Sequence, residues 1–160
     1  MSRKFDIFHA NPKGTGMALS IELYPSHDAC VGKVILSFIR QSDVARETTS
    51  GGHTFPKFDY AHRNSIRLDP LDAQNILEVF GGYTESINDG KGLFAVSAEN
   101  RTTFTLRHTI DPVPGYVMTL KVVKVEGGDT DERTFFISPT EAGMLNNALT
   151  ASMGLLLFGE

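Results

Sequence analysis

The segment KFDYAHRNSIRLDPLDAQNILEVFGG, residues 57–82, has the pattern of a β-strand that leads directly into a short helix. A second version of this pattern, RTFFISPTEAGMLNNALTASMGLLLFG, occupies residues 133–159. Pro70 and Pro139 hold the same place in the two copies. Each stands at the first position of its helix, where the missing amide hydrogen would have no intrahelical partner. The repeated pattern predicts one structural unit that occurs twice in the chain.

Both helices have recognisable start signals. Asp69 stands at the N-cap position of the first helix, and Ser138 stands at that of the second. Ser138 and Glu141 match a capping box, in which each side chain bonds to the other residue's backbone amide. We predict helices over residues 70–80 and 139–157, the first of which ends at a pair of glycines.

The second helix has a wider apolar surface than the first. Its apolar positions fall on two adjacent stripes, one through Leu145, Leu149, Ser152 and Leu156 and the other through Met144, Ala148, Ala151 and Leu155. A small sheet cannot cover so wide a surface. We therefore predict that part of this helix forms a subunit interface in a homo-oligomer, through Leu145, Leu149, Met153 and Leu156.

Most of the remaining chain consists of strand-like segments separated by turn-rich ones. We predict strands at residues 4–9, 17–24, 31–41, 57–68, 92–98, 101–110, 115–126 and 132–137, and a mobile loop at 42–56. Each half of the chain, about residues 1–82 and 83–160, then contains four strands followed by a helix. The expected fold is a single α+β domain, in which two four-stranded antiparallel sheets pack with two core helices.

The composition excludes several classes of protein. The chain has 160 residues and a net charge of −4, with a pI near 5.7, so its surface is not uniformly basic. Cys30 is the only cysteine, which excludes a disulfide framework and a cysteine-ligated metal cluster within one chain. The sequence contains neither an apolar run long enough to span a membrane nor a signal peptide at its start, so we expect neither membrane insertion nor secretion.

Sequence patterns of catalysis are missing as well. The five histidines are scattered without metal-ligand spacing, and no P-loop, nucleophile elbow or complete dinucleotide-binding fingerprint is present. Asp129, Asp131 and Glu132 lack the spacing of a calcium-binding loop, so we predict a solvated hairpin turn at that place. We expect no enzymatic activity, no bound metal and no cofactor.

Two of the predicted strands have faces rich in cations and hydroxyl groups. Strand 101–110 alternates Thr103, Thr105 and Arg107 against Phe104, Leu106 and His108, and strand 57–68 alternates Arg63 and Arg67 against Phe58 and Tyr60. Such a surface can hold a phosphate backbone while nearby rings stack on unpaired bases. An antiparallel sheet with one ordinary solvated face has the same pattern. Phe58 and Tyr60 are likewise compatible with core packing or with stacking.

Several segments, taken together, resemble the Whirly proteins, which bind single-stranded DNA in plant organelles. FDYAHRNSIRLDPLDAQNIL, residues 58–77, is similar without a gap to their aromatic-Asp-aromatic strand and following helix. KGTGMALSIELYP, residues 13–25, resembles their lysine-glycine-lysine-alanine-alanine-leucine segment. GKVILSFIRQ, residues 32–41, resembles their next strand, and ISPTEAGMLNNALTASMGLLLFG, residues 137–159, resembles their last helix. These segments occur in the family's order and span most of the chain.

The resemblance implies two sheets packed roughly perpendicular to each other, with the helices in the core. It also implies a tetramer held by those helices, or a dimer, and binding of single strands along sheet edges with little sequence preference. Lys13 matches the first lysine of the family's segment, whereas Thr15 replaces the second. Tyr60 stands where the family has tryptophan, and Arg63 keeps a basic residue. The wider group includes positive-cofactor-type coactivators and kinetoplastid guide-RNA-binding proteins, so RNA is an alternative ligand.

We therefore expect a protein that binds single-stranded DNA with low sequence specificity and acts in replication, recombination or repair. An RNA-binding or annealing factor and a structural oligomer without nucleic-acid binding are the alternatives. The residues expected to contact nucleic acid are Lys13, Lys33, Lys57, Phe58, Tyr60, Arg63, Arg67, Phe104, Arg107 and Lys121. The family's organelle-targeting segment is missing, so we expect a bacterial, archaeal or viral-host cytoplasm, or an organelle matrix if the sequence is a trimmed mature form.

Overall fold

The computed structural model describes residues 3–159, which form two antiparallel sheets and two α-helices. The elements of the first half are β1 (Arg3–His9), β2 (Met17–Tyr24), β3 (Lys33–Asp43), β4 (Lys57–Phe58), β5 (Asn64–Leu68) and α1 (Pro70–Phe80). Those of the second half are β6 (Leu93–Val96), β7 (Asn100–Thr109), β8 (Gly115–Lys124), β9 (Thr130–Ile137) and α2 (Pro139–Phe158). Short 3-10 helices occupy Tyr60–His62 and Ile87–Gly90.

The strands of each half form one sheet. The first sheet has the order β1-β2-β3-β5, with β4 also paired to β3, and the second has the order β6-β7-β8-β9. Every pair of neighbours is antiparallel. The predicted α+β fold with a repeated plan of strands followed by a helix is thus confirmed, but the first sheet has five strands where four were predicted, because residues 57–68 form two strands.

Both predicted helix starts are confirmed. The Ser138 hydroxyl accepts a hydrogen bond from the Glu141 amide, and the Glu141 carboxylate accepts one from the Ser138 amide. Asp69 and Asp72 form the same reciprocal pair at the start of α1. The first helix spans the predicted range, and the second ends one residue later than predicted, at Phe158.

The predicted continuous strand over residues 57–68 is wrong in its middle. Phe58 pairs with Gln41 and Asn64 pairs with Phe38, so residues 59–63 lie opposite only residues 39 and 40. The surplus residues form a bulge that contains the Tyr60–His62 3-10 turn. The Asp59 side chain caps this turn by accepting from the His62 amide, and the Asp59 amide donates to the Arg40 carbonyl.

The core lies between the inner faces of the two sheets and includes one face of each helix. The ring of Phe38 in the first sheet packs edge-on against those of Phe104 and Phe135 in the second, with centroids 6.4 and 6.5 Å apart. From the helices, the buried side chains are those of Pro70, Ala73, Ile76, Val79, Ala142, Leu145, Leu149 and Leu156. One cluster of apolar residues thus unites both halves.

This packing corrects the predicted subunit interface. Leu145, Leu149 and Leu156 are buried in the protomer's own core, and Met153 packs against that core while partly buried. They cannot form a contact surface for a second subunit, because the sheets and α1 already cover them. The other stripe of α2 is the one left open, with Met144, Ala148 and Ala151 exposed.

A buried arginine connects the sheets at one end of the core. The Arg133 side chain, only 5% exposed, donates to the carbonyl oxygens of Phe38 and His62, each at 2.7 Å. It also bonds to the Asp131 carboxylate, which accepts from Asn64 and Arg40 as well. The solvated hairpin turn predicted for Asp131 is therefore wrong, because this residue belongs to β9 and to a network between the sheets.

Candidate nucleic-acid interface

Alternation along the strands gives the first sheet a polar outer face. Strand register places Lys4, Glu22, Ile35 and Arg67 side by side across β1, β2, β3 and β5, on the face opposite the core. The next row contains Asp6, Ser20, Ser37 and Ser65, in which the last two hydroxyls are hydrogen-bonded at 2.7 Å. Cations, hydroxyls and a few carboxylates thus share this face.

Strand β4 and the bulge that follows it each place one aromatic ring on this outer face. The Phe58 ring lies 5.2 Å from that of Phe8 on β1, and the Lys4 ammonium lies 4.8 Å from the centre of the Tyr60 ring. Both rings are partly exposed, and neither belongs to the core cluster. The sequence was compatible with core packing or with stacking for these two rings. The structure places both outside the core, where part of each ring is open to solvent.

A second aromatic group with nearby cations lies at the end of the same face. The Tyr24 hydroxyl donates to the Glu22 carboxylate at 3.1 Å, and the Lys33 ammonium lies 5.1 Å from the centre of the Tyr24 ring. The hydrogen bond to Glu22 and the Glu22 charge raise the pKa of Tyr24, and the nearby Arg63 charge opposes that rise. Sequence reasoning missed Tyr24, although its position two residues after Glu22 in the same strand indicates that both side chains lie on one face.

The outer face of the second sheet has the predicted composition. Thr103 pairs with Lys121 and Thr105 with Thr119, and all four side chains point away from the core together with Arg107. Phe94 on β6 extends the row of Thr103 and Lys121 and is 67% exposed, although sequence reasoning did not single it out. This face therefore also combines cations with an accessible ring.

One predicted contact residue lies on the wrong side of its sheet. Phe104 is completely buried, and its ring packs against Phe38 between the two sheets. A base cannot stack on a ring that both sheets enclose, so the prediction for Phe104 is wrong.

Ion pairing separates the cations into two groups. Salt bridges join Lys4 to Asp6, Arg46 to Asp43, and Arg40 and Arg133 to Asp131. Within residues 3–159, none of the predicted contact cations forms a salt bridge; these are Lys13, Lys33, Lys57, Arg63, Arg67, Arg107 and Lys121. Their charges are therefore available to an anionic ligand, despite the net negative charge of the chain.

The loop between β1 and β2 presents Lys13 from a fixed support. The buried side chain of Gln41 accepts from the amides of Asn11 and Gly16 and donates to the Asn11 carbonyl. Gly16 approaches the His9 carbonyl so closely that a Cβ atom would clash. Lys13 and Lys57 consequently lie near the same end of the first sheet, where β3 finishes.

The predicted contact residues form two groups within one protomer. One group lies at the outer face of the first sheet and contains Lys33, Arg63, Arg67, Phe58 and Tyr60. The other lies on the outer face of the second sheet and contains Arg107 and Lys121. Because the inner faces pack on each other, these two surfaces point away from a shared core.

Among residues 3–159, no group of three or more His, Cys, Asp or Glu residues is placed to hold a metal ion. None of the described helices is both long and apolar enough to cross a membrane.

Comparison with known proteins identifies the fold. No protein-family model matches the sequence, and neither does any curated protein. WHY1 from Arabidopsis thaliana has a similar structure, with a TM-score of 0.74 and 14% identity over 99% of this chain and 86% of that chain. The plant transcriptional regulator PBF-2 gives a TM-score of 0.70 and 16% identity, over 98% of this chain and 82% of that chain.

A third similar structure is a guide-RNA-binding protein complex bound to a guide RNA. It has a TM-score of 0.60 and 22% identity, over 96% of this chain and 90% of that chain. These identities are low, but the match in structure spans almost the whole chain. The chain therefore has the Whirly fold, as the sequence resemblance implied.

Proposed function

We propose that this protein binds single-stranded nucleic acid without catalysing a reaction. The observation that supports this most directly is the outer face of the first sheet, where unpaired cations accompany partly exposed rings. Arg63 and Arg67 would hold phosphates, and Tyr60 and Phe58 would offer ring surface to unpaired bases. A duplex keeps its bases stacked inside, so only a single strand would use both features.

Single-stranded DNA is the ligand that we propose first, with little preference for sequence. Stacking and phosphate contacts do not distinguish bases, because every base has an aromatic face and every nucleotide a phosphate. The protein would coat or protect strands exposed during replication, recombination or repair. Single-stranded RNA is the second candidate, because one protein with a similar fold is described in complex with a guide RNA.

Titration of labelled strands tests the proposal. We expect salt-sensitive anisotropy changes with oligo-dT or single-stranded RNA, and weaker binding to a duplex. If all seven unpaired cations contact phosphates, the slope of log K against log salt should approach about −5. Failure of every single strand to bind in a salt-dependent way would refute the proposal.

Charge-removal variants identify the surface that binds. Arg63→Ala with Arg67→Ala should weaken binding and make the salt slope shallower by about 1–2. Arg107→Ala with Lys121→Ala applies the same change to the second sheet. The matched control is Lys91→Ala with Lys124→Ala, which removes one cation after the Ile87–Gly90 turn and one at the end of β8, out of phase with Lys121. Equal losses in all three double variants would mean that only net charge matters.

Self-association through α2 is the second part of the proposal. After Glu141 this helix contains no charged residue, and one side of it is exposed in the protomer. A helix face without charge in water is typical of helix–helix contacts between subunits. A purely structural oligomer would use this surface alone and would tolerate loss of Arg63 and Arg67.

A further inference from the structure

A groove of about 460 Å³ opens at one end of the first sheet's outer face. The loop that connects β2 to β3 forms one wall, and the ends of β2, β3 and β5 form the floor. Its lining includes Tyr24, His27, Cys30, Val31, Lys33 and Arg67. Its volume is in the range of small-ligand sites and suits one nucleotide, not a duplex.

The wall of this groove is fixed to the end of α2. The Ser26 amide donates to the Leu155 carbonyl at 2.9 Å, and the Gly32 amide donates to the Leu156 carbonyl at 2.8 Å. A Cβ atom at Gly32 would come within 2.8 Å of the Leu156 Cα atom, so this close approach requires glycine. Within the loop, His27 and Cys30 exchange two backbone hydrogen bonds. The groove is therefore a preformed feature.

Two cations lie at this groove without a carboxylate partner. Lys33 begins β3, and Arg67 lies on the neighbouring β5, where it pairs with Ile35. Within residues 3–159 neither forms a salt bridge. Two carboxylates adjacent in sequence or register to the groove lining have other partners, since Glu22 accepts from Tyr24 and Asp28 pairs with His27. Two such cations at one concave place favour a phosphate group.

Apolar surface for a base lies beside these cations. The Tyr24 ring and the exposed Val31 side chain both line the groove. The groove also continues the row of Lys4, Glu22 and Arg67, so a strand that follows the outer face would reach it. The same groove thus offers Lys33 and Arg67 to a phosphate, and Tyr24 and Val31 to a base.

We infer that the groove binds one nucleoside monophosphate unit, with the phosphate on Lys33 and Arg67 and the base against Tyr24 and Val31. This inference rests on the proposed function, because the unit would normally belong to a bound single strand. A free nucleotide has the same chemistry, and the experiment separates the two sources.

Cys30 allows a direct test, because it is the only cysteine, it is exposed and it lines the groove. The rate at which iodoacetamide alkylates Cys30 would be measured in the chain of 160 residues. Three conditions are compared: no ligand, saturating oligo-dT about 20 nucleotides long, and excess thymidine monophosphate, with strand binding followed in parallel by anisotropy. We expect oligo-dT to slow alkylation about fivefold or more, because an occupied groove shields the thiol.

The outcomes separate this inference from the proposed function. Strand binding that leaves the Cys30 rate unchanged would refute the groove and leave the proposed function intact. Absence of any strand binding, with no protection by thymidine monophosphate, would refute both. Protection by thymidine monophosphate without strand binding would show that the groove serves free nucleotides and would refute the proposed function alone.

Two variants distinguish a nucleotide bound in the groove from a strand that only passes nearby and shields the Cys30 thiol. Arg67→Met should remove most of the protection at saturating oligo-dT, relative to its own rate without ligand. Lys124→Met removes an exposed cation at the end of β8, which belongs to neither proposed contact group, and should retain full protection once oligo-dT saturates the protein. Equal protection in both variants would refute the assignment of Arg67 to the groove's phosphate.

Discussion

The Arg133 guanidinium on β9 donates a hydrogen bond of 2.7 Å to the Phe38 carbonyl oxygen on β3, at a place where both sheets exclude water. A buried guanidinium is costly unless all its donors are satisfied. Here the Nε and Nη2 atoms donate to the His62 carbonyl and the Asp131 carboxylate, so each of the three guanidinium nitrogens has a partner. The hydrogen bond from Arg133 to Phe38 therefore stabilises the packing of the two sheets only together with the bonds to His62 and Asp131.

Removal of this guanidinium should destabilise the protein strongly. Arg133→Met keeps apolar volume but removes the side-chain donor of the Phe38 and His62 carbonyl oxygens and one of the cations that neutralise Asp131, so we expect the free energy of unfolding to fall by about 3–5 kcal/mol. Urea unfolding followed by circular dichroism measures this change. The control Arg101→Met removes an exposed arginine of β7 and should change the value by less than about 0.5 kcal/mol. A loss below about 1 kcal/mol for Arg133→Met would contradict the network's role.

Acid should destabilise the protein through Glu141 and Asp131. Burial alone would raise the pKa of Glu141, but hydrogen bonds from Ser138 and His9 hold it below its ordinary value of 4.5. Burial likewise would raise the pKa of Asp131, but hydrogen bonds from Asn64 and Arg133 hold it below its ordinary value of 3.8.

The sign of the pH effect follows from those lowered pKa values. As the pH falls, the carboxylates of Glu141 and Asp131 take up protons in the unfolded chain before they do so in the folded one. The stabilisation is therefore complete above the ordinary pKa values of these groups and is lost as the pH falls below them. Urea unfolding between about pH 6 and pH 3 should show this loss. Glu141→Gln keeps a side chain that can complete the capping box but cannot ionise, so its stability should fall less steeply with acid. An unchanged slope would exclude Glu141 as a contributor.

Local signals explain why the helices could be predicted from the sequence. The capping pairs at Asp69 and Ser138 lie within one turn of their helices, so no distant contact is needed to identify them. The bulge at residues 59–63 could not be predicted in this way, because the apolar–polar alternation continues through it. Its 3-10 turn depends on the Arg40 carbonyl, which belongs to a distant part of the chain.

The candidate site was predicted best where alternation alone decides orientation. Thr103, Thr105 and Arg107 share an outer face as predicted, and the same alternation placed Phe104 on the opposite side, with Leu106. Including Phe104 among the contacts therefore contradicted the pattern itself. For α2, hydrophobicity could not decide which of its two apolar stripes faces the core, because that choice depends on the positions of α1 and both sheets.

The contrast between Phe94 and Phe104 gives a third prediction. Phe94→Ala removes an exposed ring beside Thr103, in the row that continues to Lys121, so we expect strand affinity to fall by about 1–3 kcal/mol without a change in stability. Phe104→Ala should instead lower the free energy of unfolding by about 3–5 kcal/mol, because it leaves a cavity in the core. Anisotropy titration and urea unfolding of both variants measure the two effects. Unchanged affinity in Phe94→Ala would exclude stacking at that ring.

The exposed stripe of α2 gives the last prediction. Ala148→Glu with Ala151→Glu places two charges on this stripe, where they would be buried in a helix–helix contact between subunits. If α2 forms the proposed subunit contact, these charges should dissociate the oligomer while each protomer stays folded, as measured by sedimentation velocity and circular dichroism. Gln74→Glu, at an exposed position of α1, is the charge control and should leave the oligomer intact.

Leu149→Glu separates assembly from folding, because that side chain lies in the protomer's own core. A charge there has no partner and should unfold the chain itself, whatever its oligomeric state. An oligomer that persists in the variant with both Ala148→Glu and Ala151→Glu would show that α2 is not the subunit contact. If Leu149→Glu also dissociated the oligomer but left folded protomers, the core position of Leu149 would be contradicted.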